Sequence, residues 1–137
     1  MNIICVDTDR CRLMKLWRDV MKIAPNANTQ TFSEMGGAVR YATGHGCDVL
    51  LAELASGYAA WNGVDLAEQI RNVNPRVKII FFSPEPPEQA IGAIRGAEID
   101  GYIQRPYDAA RLAEALTRPA SHRASAGQSI ARGDDER

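Results

Sequence analysis

The sequence predicts a doubly wound α/β fold, in which a five-stranded parallel sheet is flanked by five helices. Two observations lead to this class. Short apolar runs and amphipathic stretches alternate five times along residues 1–117, which is the pattern of a parallel sheet with right-handed crossovers. Runs such as Val-Leu-Leu-Ala and Val-Lys-Ile-Ile-Phe-Phe are continuous rather than alternating, as expected for strands covered by helices on both faces.

Five short apolar runs are predicted as the strands of this sheet. Each run lies between turn or helix signals, as strands of a parallel sheet do. The predicted strands are Asn2–Val6, Asn28–Phe32, 48–53, 77–82 and 101–103. Because the carboxyl ends of parallel strands meet at one edge, a functional site is predicted at that edge.

Helical patterns follow each of the strands. In the first, apolar residues from Leu13 to Met21 repeat at helical spacing, and Asp9 is a candidate N-cap. Pro86 or Pro87 suits the first turn of the fourth helix, where proline is tolerated. The predicted stop signals of the second and third helices are Gly44 or Gly46 and Pro75.

The composition divides the chain into one domain and a short tail. The 137 residues are 45% hydrophobic and 24% charged, which is ordinary for a globular protein. From residue 118 onward there are few large apolar residues, so that segment cannot bury enough surface to offset its ordering entropy. We therefore predict a domain over residues 1–117 and a flexible tail or interdomain linker over 118–137.

Charge and cysteine content argue against several classes of protein. The net charge of −1 gives no electrostatic footprint for nucleic acid or for an anionic membrane. The sequence has neither an apolar run of about 20 residues nor a secretory signal. Cys5, Cys11 and Cys47 show no metal-binding spacing and are predicted to be reduced thiols. These features predict a cytoplasmic protein.

Polar residues stand at the predicted carboxyl ends of the strands. No other part of the sequence offers a comparable group of polar residues, and nothing in the sequence resembles a catalytic triad. The residues to weigh are Asp7, Thr8 and Asp9 after the first strand, Glu53 at the end of the third, Ser83 after the fourth and Arg105 after the fifth.

The sequence resembles the response-regulator receiver family over residues 1 to about 117, most clearly in four stretches. They are MNIICVDTD, CDVLLAEL, NPRVKIIFFS and DGYIQRPY. The run VNPRVKIIF is also similar to receivers that precede LytTR-type DNA-binding domains. The resemblance implies the flavodoxin-like receiver topology, with strand order 2-1-3-4-5. It also implies a non-enzymatic role in a two-component phosphorelay, with a sensor kinase, a regulator or an output domain as partner.

The resemblance assigns a role to each residue at the strand ends. Asp7 matches the first member of the acidic pair that binds Mg²⁺ in the family, but the second position is Thr8, with Asp9 as a possible substitute. Glu53 occupies the phosphoacceptor position. The switch positions are Ser83, which could equally be a turn residue, Tyr102 and Arg105, which replaces a lysine before Pro106.

The departures predict a degenerate receiver that acts without phosphorylation. Glutamate is one methylene longer than aspartate, which displaces the attacking oxygen from in-line geometry. We expect Glu53 to pair with Arg105, because guanidinium matches a carboxylate bidentately. With Asp7 as the one secure ligand, Mg²⁺ binding is expected to be weak or absent.

Two alternatives stay open at this point. The chain could be the receiver fragment of a LytTR-type regulator that still accepts phosphate. It could also be a small flavodoxin-like cofactor-binding protein or enzyme. The second is disfavoured because the first turn, residues 7–10, is acidic and lacks the glycines that a phosphate-binding turn needs.

Two surfaces are candidates for protein contacts. Tyr58 and Trp61 lie in a lengthened loop after Glu53, where they either contact a partner or fold back onto the domain. Receiver resemblance also points to a homodimer through the fourth helix, fifth strand and fifth helix. Its candidate residues are Gln89, Arg95, Gln104 and Arg111.

Overall fold

Strands and helices alternate along the whole domain. The computed structural model describes residues 1–55, 62–94 and 98–120. The elements are β1 (Asn2–Val6), α1 (Arg10–Ile23), β2 (Asn28–Phe32), α2 (Met35–His45), β3 (Val49–Glu53), α3 (Gly63–Val73), β4 (Lys78–Ser83), α4 (Pro87–Ile94), β5 (Gly101–Gln104) and α5 (Ala109–Thr117). The predicted tail, residues 118–137, lies outside the described residues from 121 onward.

All neighbouring strands pair in parallel, in the order β2-β1-β3-β4-β5. The predicted five-stranded doubly wound sheet, its strand order and its five flanking helices are confirmed. β1 and β3 lie next to each other, with Val6 opposite Ala52. The residues that follow these two strands are therefore neighbours at one edge of the sheet.

Two apolar clusters cover the two faces of the sheet. Ile4, Leu50 and Phe81 face a cluster that includes residues of α2 and α3. Their neighbours in the strands, such as Leu51 and Ile80, face the opposite cluster with residues of α1 and α5. Because successive strand residues point to opposite faces, both kinds of position are apolar. This explains the continuous apolar runs of the sequence.

Two helices begin directly at the polar edge of the sheet. Asp9 caps α1 as predicted, and its side chain accepts a hydrogen bond from the backbone N–H of Arg12 at 3.0 Å. Asn62 caps α3 through the N–H groups of Val64 and Asp65. A Cβ on Gly63 would lie 2.6 Å from the carbonyl oxygen of Glu53, so α3 starts in close contact with the end of β3.

A buried lysine fastens the end of α5 to the opposite edge of the sheet. Lys78, at the start of β4, is 5% exposed. Its ammonium donates hydrogen bonds to the carbonyl oxygens of Leu116, at 3.0 Å, and Arg118. Cations are favourable at helix C-termini, where carbonyl groups lack intrahelical partners. None of the described helices is long and apolar enough to cross a membrane.

Candidate functional site

The carboxyl edge of the sheet brings together four of the predicted residues. Asp7 and Thr8 follow β1, Glu53 ends β3, and Arg105 follows β5. The peptide bond between Arg105 and Pro106 is cis. Asp7 and Glu53 are each 3% exposed. Buried carboxylates require charged or hydrogen-bonding partners, so their contacts define the chemistry of the site.

Asp7 has two arginine partners. Its Oδ1 accepts hydrogen bonds from the backbone N–H of Asp9 at 2.7 Å and from Arg12 Nη2 at 3.0 Å. Its Oδ2 accepts from Arg12 Nε at 3.2 Å and from Arg105 Nη1 at 2.8 Å. An ionised carboxylate offers about four acceptor positions. Protein donors therefore use the full acceptor capacity of Asp7.

Both oxygens of Glu53 are engaged as well. Oε1 accepts hydrogen bonds from the backbone N–H of Thr8 at 3.0 Å and from its hydroxyl at 2.9 Å. Oε2 accepts from Arg12 Nη2 at 3.0 Å. Thr8 is thus a double hydrogen-bond donor to Glu53, the residue predicted to stand at the acceptor position.

The predicted pair between Glu53 and Arg105 is wrong. Arg105 pairs with Asp7, and Glu53 pairs with Arg12. The reason is the position of Thr8, whose two hydrogen bonds hold the carboxylate of Glu53 toward the end of β1. Arg12 lies on that side, in the first turn of α1.

Arg12 is the residue of the candidate site that sequence reasoning missed. Its hydrogen bond to Asp7 raises the pKa of the guanidinium, against the effect of burial. Nη2 contacts both buried carboxylates, while the side chain as a whole is 41% exposed. One signal was available in the sequence: Arg12 stands three residues after the predicted cap Asp9, in the turn that faces the strand ends.

The residues present do not fit a divalent cation. Mg²⁺ needs carboxylate oxygens that are open to it, but Arg12 lies between the carboxylates of Asp7 and Glu53. The predicted second ligand, Asp9, caps α1 and lies 3.7 Å from Arg12 Nη1. Across residues 1–55, 62–94 and 98–120, no group of three or more candidate ligands could hold a metal ion. The cavity beside these side chains measures about 40 Å³, which is space for a few water molecules.

Ser83 and Tyr102 meet at the loop after β4. The hydroxyl of Ser83 accepts a hydrogen bond from the backbone N–H of Glu85 at 3.2 Å, as in a turn. The hydroxyl of Tyr102 donates to the carbonyl oxygen of Glu85 at 2.5 Å. The two side chains therefore hold the same loop residue, and the switch roles of Ser83, Tyr102 and Arg105 stay predictions.

The candidate contact surfaces are described only in part. Tyr58, Trp61 and Arg95 lie outside the described residues. In the described part of the predicted dimer surface, Gln104 donates to the carbonyl oxygen of Pro84 at 3.3 Å. Arg111 donates to the carbonyl oxygen of Tyr102 at 2.9 Å. These two residues thus support β5 within the domain, and the predicted homodimer stays a prediction.

The two buried thiols, Cys5 and Cys47, are unsuited to redox chemistry. Burial raises the pKa of the Cys5 thiol and raises that of Cys47 to about 12. Reactive cysteines instead have a lowered pKa and access to solvent. Cys11 is exposed on α1.

The fold and the polar strand ends together define a receiver architecture. The family model described as "Response regulator receiver domain" matches residues 3–117, and the chain belongs to this family. Receiver domains are generally non-catalytic modules of two-component signalling that interact with kinases and output domains. The finer likeness to LytTR-type receivers stays a prediction.

Solved structures of other receivers share the fold at low sequence identity. Chemotaxis protein CheY4 of Vibrio cholerae is 13% identical with a TM-score of 0.72, over 84% of this chain and 94% of that one. A receiver domain protein of Clostridium thermocellum is 19% identical with a TM-score of 0.69, over 84% and 90%. A CheY-like protein of Methanospirillum hungatei JF-1 is 17% identical with a TM-score of 0.71, over 84% and 89%. No curated protein sequence matches the chain.

Proposed function

We propose that this receiver domain signals without being phosphorylated, through contacts with protein partners, as a cytoplasmic module of a two-component pathway. The observation that supports this most directly is the state of Glu53. The residue at the acceptor position has hydrogen bonds from Thr8 on one oxygen and from Arg12 on the other. Its charge is thereby compensated within the domain.

A phosphoryl acceptor needs a carboxylate oxygen that can approach the donor in line. For Glu53 to attack, it would have to give up the hydrogen bonds of Thr8 or the ion pair with Arg12. The charge of a carboxylate that is 3% exposed would then lose compensation, which is costly in a buried position. This cost opposes the chemistry in addition to the longer side chain of glutamate.

The loop after β4 also favours a single state. Ser83 and Tyr102 both bond to Glu85. Pro84 and Pro86 flank Glu85 in the sequence and fix the backbone φ angle on both sides. A receiver that responds to phosphate has to move this region, whereas these contacts support a constant arrangement.

The test is intact-mass spectrometry after incubation with Mg²⁺ and a small-molecule phosphodonor such as acetyl phosphate. We expect no phosphoryl adduct on the wild-type chain under conditions that modify a conventional receiver in parallel. Glu53→Gln, which keeps the shape of the side chain without its charge, is the matched control.

An adduct on the wild type that Glu53→Gln abolishes would falsify the proposal. It would favour a receiver that still accepts phosphate, as in the LytTR-type alternative. An adduct that persists in Glu53→Gln would place the acceptor on another carboxylate, and it would equally contradict a phosphate-independent domain.

A further inference from the structure

We propose that Arg12 is a built-in replacement for the divalent cation, and that its guanidinium keeps such cations out of the site. The inference rests on the proposed function and explains which residue holds the site in one state. The family binds its metal between carboxylates at this edge of the sheet, whereas this chain places one of its own cations there.

The geometry of Arg12 is that of a bridging ion. Its Nη2 lies 3.0 Å from Asp7 Oδ1 and 3.0 Å from Glu53 Oε2. Nε of the same guanidinium reaches Asp7 Oδ2 at 3.2 Å. One planar group therefore joins the acidic residue after β1 to the residue at the acceptor position on β3.

The charges of the two buried carboxylates are balanced without a metal. Asp7 and Glu53 contribute two negative charges, and Arg12 and Arg105 contribute two positive charges through direct contacts. A divalent cation would meet two buried carboxylates that two arginines already neutralise, and it would have to displace Arg12, which also lies 3.7 Å from the carboxylate of Asp9. Removal of Arg12 leaves two buried carboxylates facing one neutralising arginine, which is an attractive environment for a hard cation.

The position of Arg12 makes this idea testable without disturbing α1. The helix cap uses the backbone N–H of Arg12 rather than its side chain. The side chain is 41% exposed and lies over the buried carboxylates, so a substitution changes the mouth of the site while leaving the apolar core intact.

The experiment compares Mg²⁺ titrations of the wild type, Arg12→Gln, Arg12→Lys and Arg18→Gln by calorimetry and thermal melting. Sodium chloride of equal ionic strength is the reference. We expect Arg12→Gln to bind Mg²⁺ at least about tenfold more tightly than the wild type and to melt at a higher temperature when Mg²⁺ is present. Arg12→Lys keeps the positive charge and should bind Mg²⁺ little more tightly than the wild type. Arg18 is exposed on the same helix, so its variant should match the wild type.

Equal Mg²⁺ response in the wild type and Arg12→Gln overturns the inference, whether both bind or neither binds. Should Arg12→Gln be unfolded without Mg²⁺, recovery of its folded circular dichroism spectrum on adding Mg²⁺ supports the inference, and failure to recover contradicts it. Failure here leaves the phosphodonor result on the wild type unaffected. The two proposals can therefore be rejected separately.

Discussion

At the scale of single residues, Thr8 accounts for much of the chemistry of the site. An acidic residue at this position would place a second negative charge beside Glu53 near the end of β1. The threonine instead gives Glu53 a hydroxyl donor at 2.9 Å in addition to its backbone N–H at 3.0 Å. A hydroxyl at position 8, in place of a carboxylate, therefore suits Glu53, whose side chain is one methylene longer than that of aspartate.

We predict that Thr8→Val lowers the free energy of unfolding by about 1.5–3 kcal/mol, the usual contribution of a hydrogen bond to a charged group. Valine keeps the shape of threonine but cannot donate to Glu53. Urea unfolding measures the effect, and Thr8→Ser, which keeps the hydroxyl, is the control. A loss in Thr8→Val that is no larger than the loss in Thr8→Ser would contradict the prediction, because only valine lacks the hydroxyl donor.

The sequence was sufficient to place Glu53 but not to identify its partners. Its position follows from the spacing of apolar residues in β3, which depends on local pattern alone. Its pairing depends on which donors reach the same few ångströms from different elements. Arg12 is 41 residues away in the sequence, and no local pattern distinguishes it from Arg105 as a partner for Glu53.

At the scale of elements, the junction between β3 and α3 is the most tightly constrained part of the site. The backbone N–H of Gly63 donates to the carbonyl oxygen of Leu54 at 2.9 Å. A Cβ at this position would lie 2.6 Å from Glu53 O and 2.8 Å from Leu54 O. Both neighbours are backbone atoms that cannot turn aside, so only glycine allows α3 to start there.

We predict that Gly63→Ala destabilises the domain by roughly 1–3 kcal/mol, as overpacking of a close contact does. Thermal unfolding checks the change. Gly92 in α4 is the matched control, because nothing lies within 4 Å of a Cβ built there. Gly92→Ala should be neutral or stabilising by up to about 1 kcal/mol, since alanine is the better helix former. If both variants behave alike, the close approach at Gly63 is not a constraint.

Element boundaries were predicted to within a residue or two, and the differences have local causes. The third strand was predicted over 48–53, but Asp48 lies before β3 (Val49–Glu53). Its carboxylate accepts a hydrogen bond from the backbone N–H of Asn2 at 2.7 Å. The fourth strand extends to Ser83 because the backbone N–H of Arg105 donates to its carbonyl oxygen at 2.8 Å. Both causes are contacts with residues distant in the sequence, which local sequence patterns do not record.

At the scale of the whole molecule, acidic side chains set how stability depends on pH. A hydrogen bond from the backbone of Arg12 lowers the pKa of Asp9. Burial acts to raise the pKa of Asp19, but hydrogen bonds from Lys15 and Tyr107 lower it overall. A carboxyl whose pKa is lower in the folded state contributes stability above its unfolded pKa, and this contribution is lost as the pH falls through the folded pKa.

We therefore predict that the free energy of unfolding decreases as the pH is lowered from about 5 to about 3, around and below the unfolded pKa of aspartate near 3.9. Urea unfolding across this range measures the slope. The double variant Asp9→Asn and Asp19→Asn cannot titrate at these positions, and asparagine keeps the capping oxygen. Its acid slope should be shallower than that of the wild type. Parallel curves would show that other groups cause the acid instability.

The bridging arginine has a consequence for how such a domain is controlled. Arg12 is part of the polypeptide, so its effective concentration at Asp7 and Glu53 is set by the fold and does not follow cellular Mg²⁺ or phosphodonor levels. Under the proposed function, every folded copy presents the same surface from the moment it is made. The strength of the signal then depends on the number of copies of the protein. Synthesis and proteolysis would control it, as phosphorylation and dephosphorylation control a reversible switch.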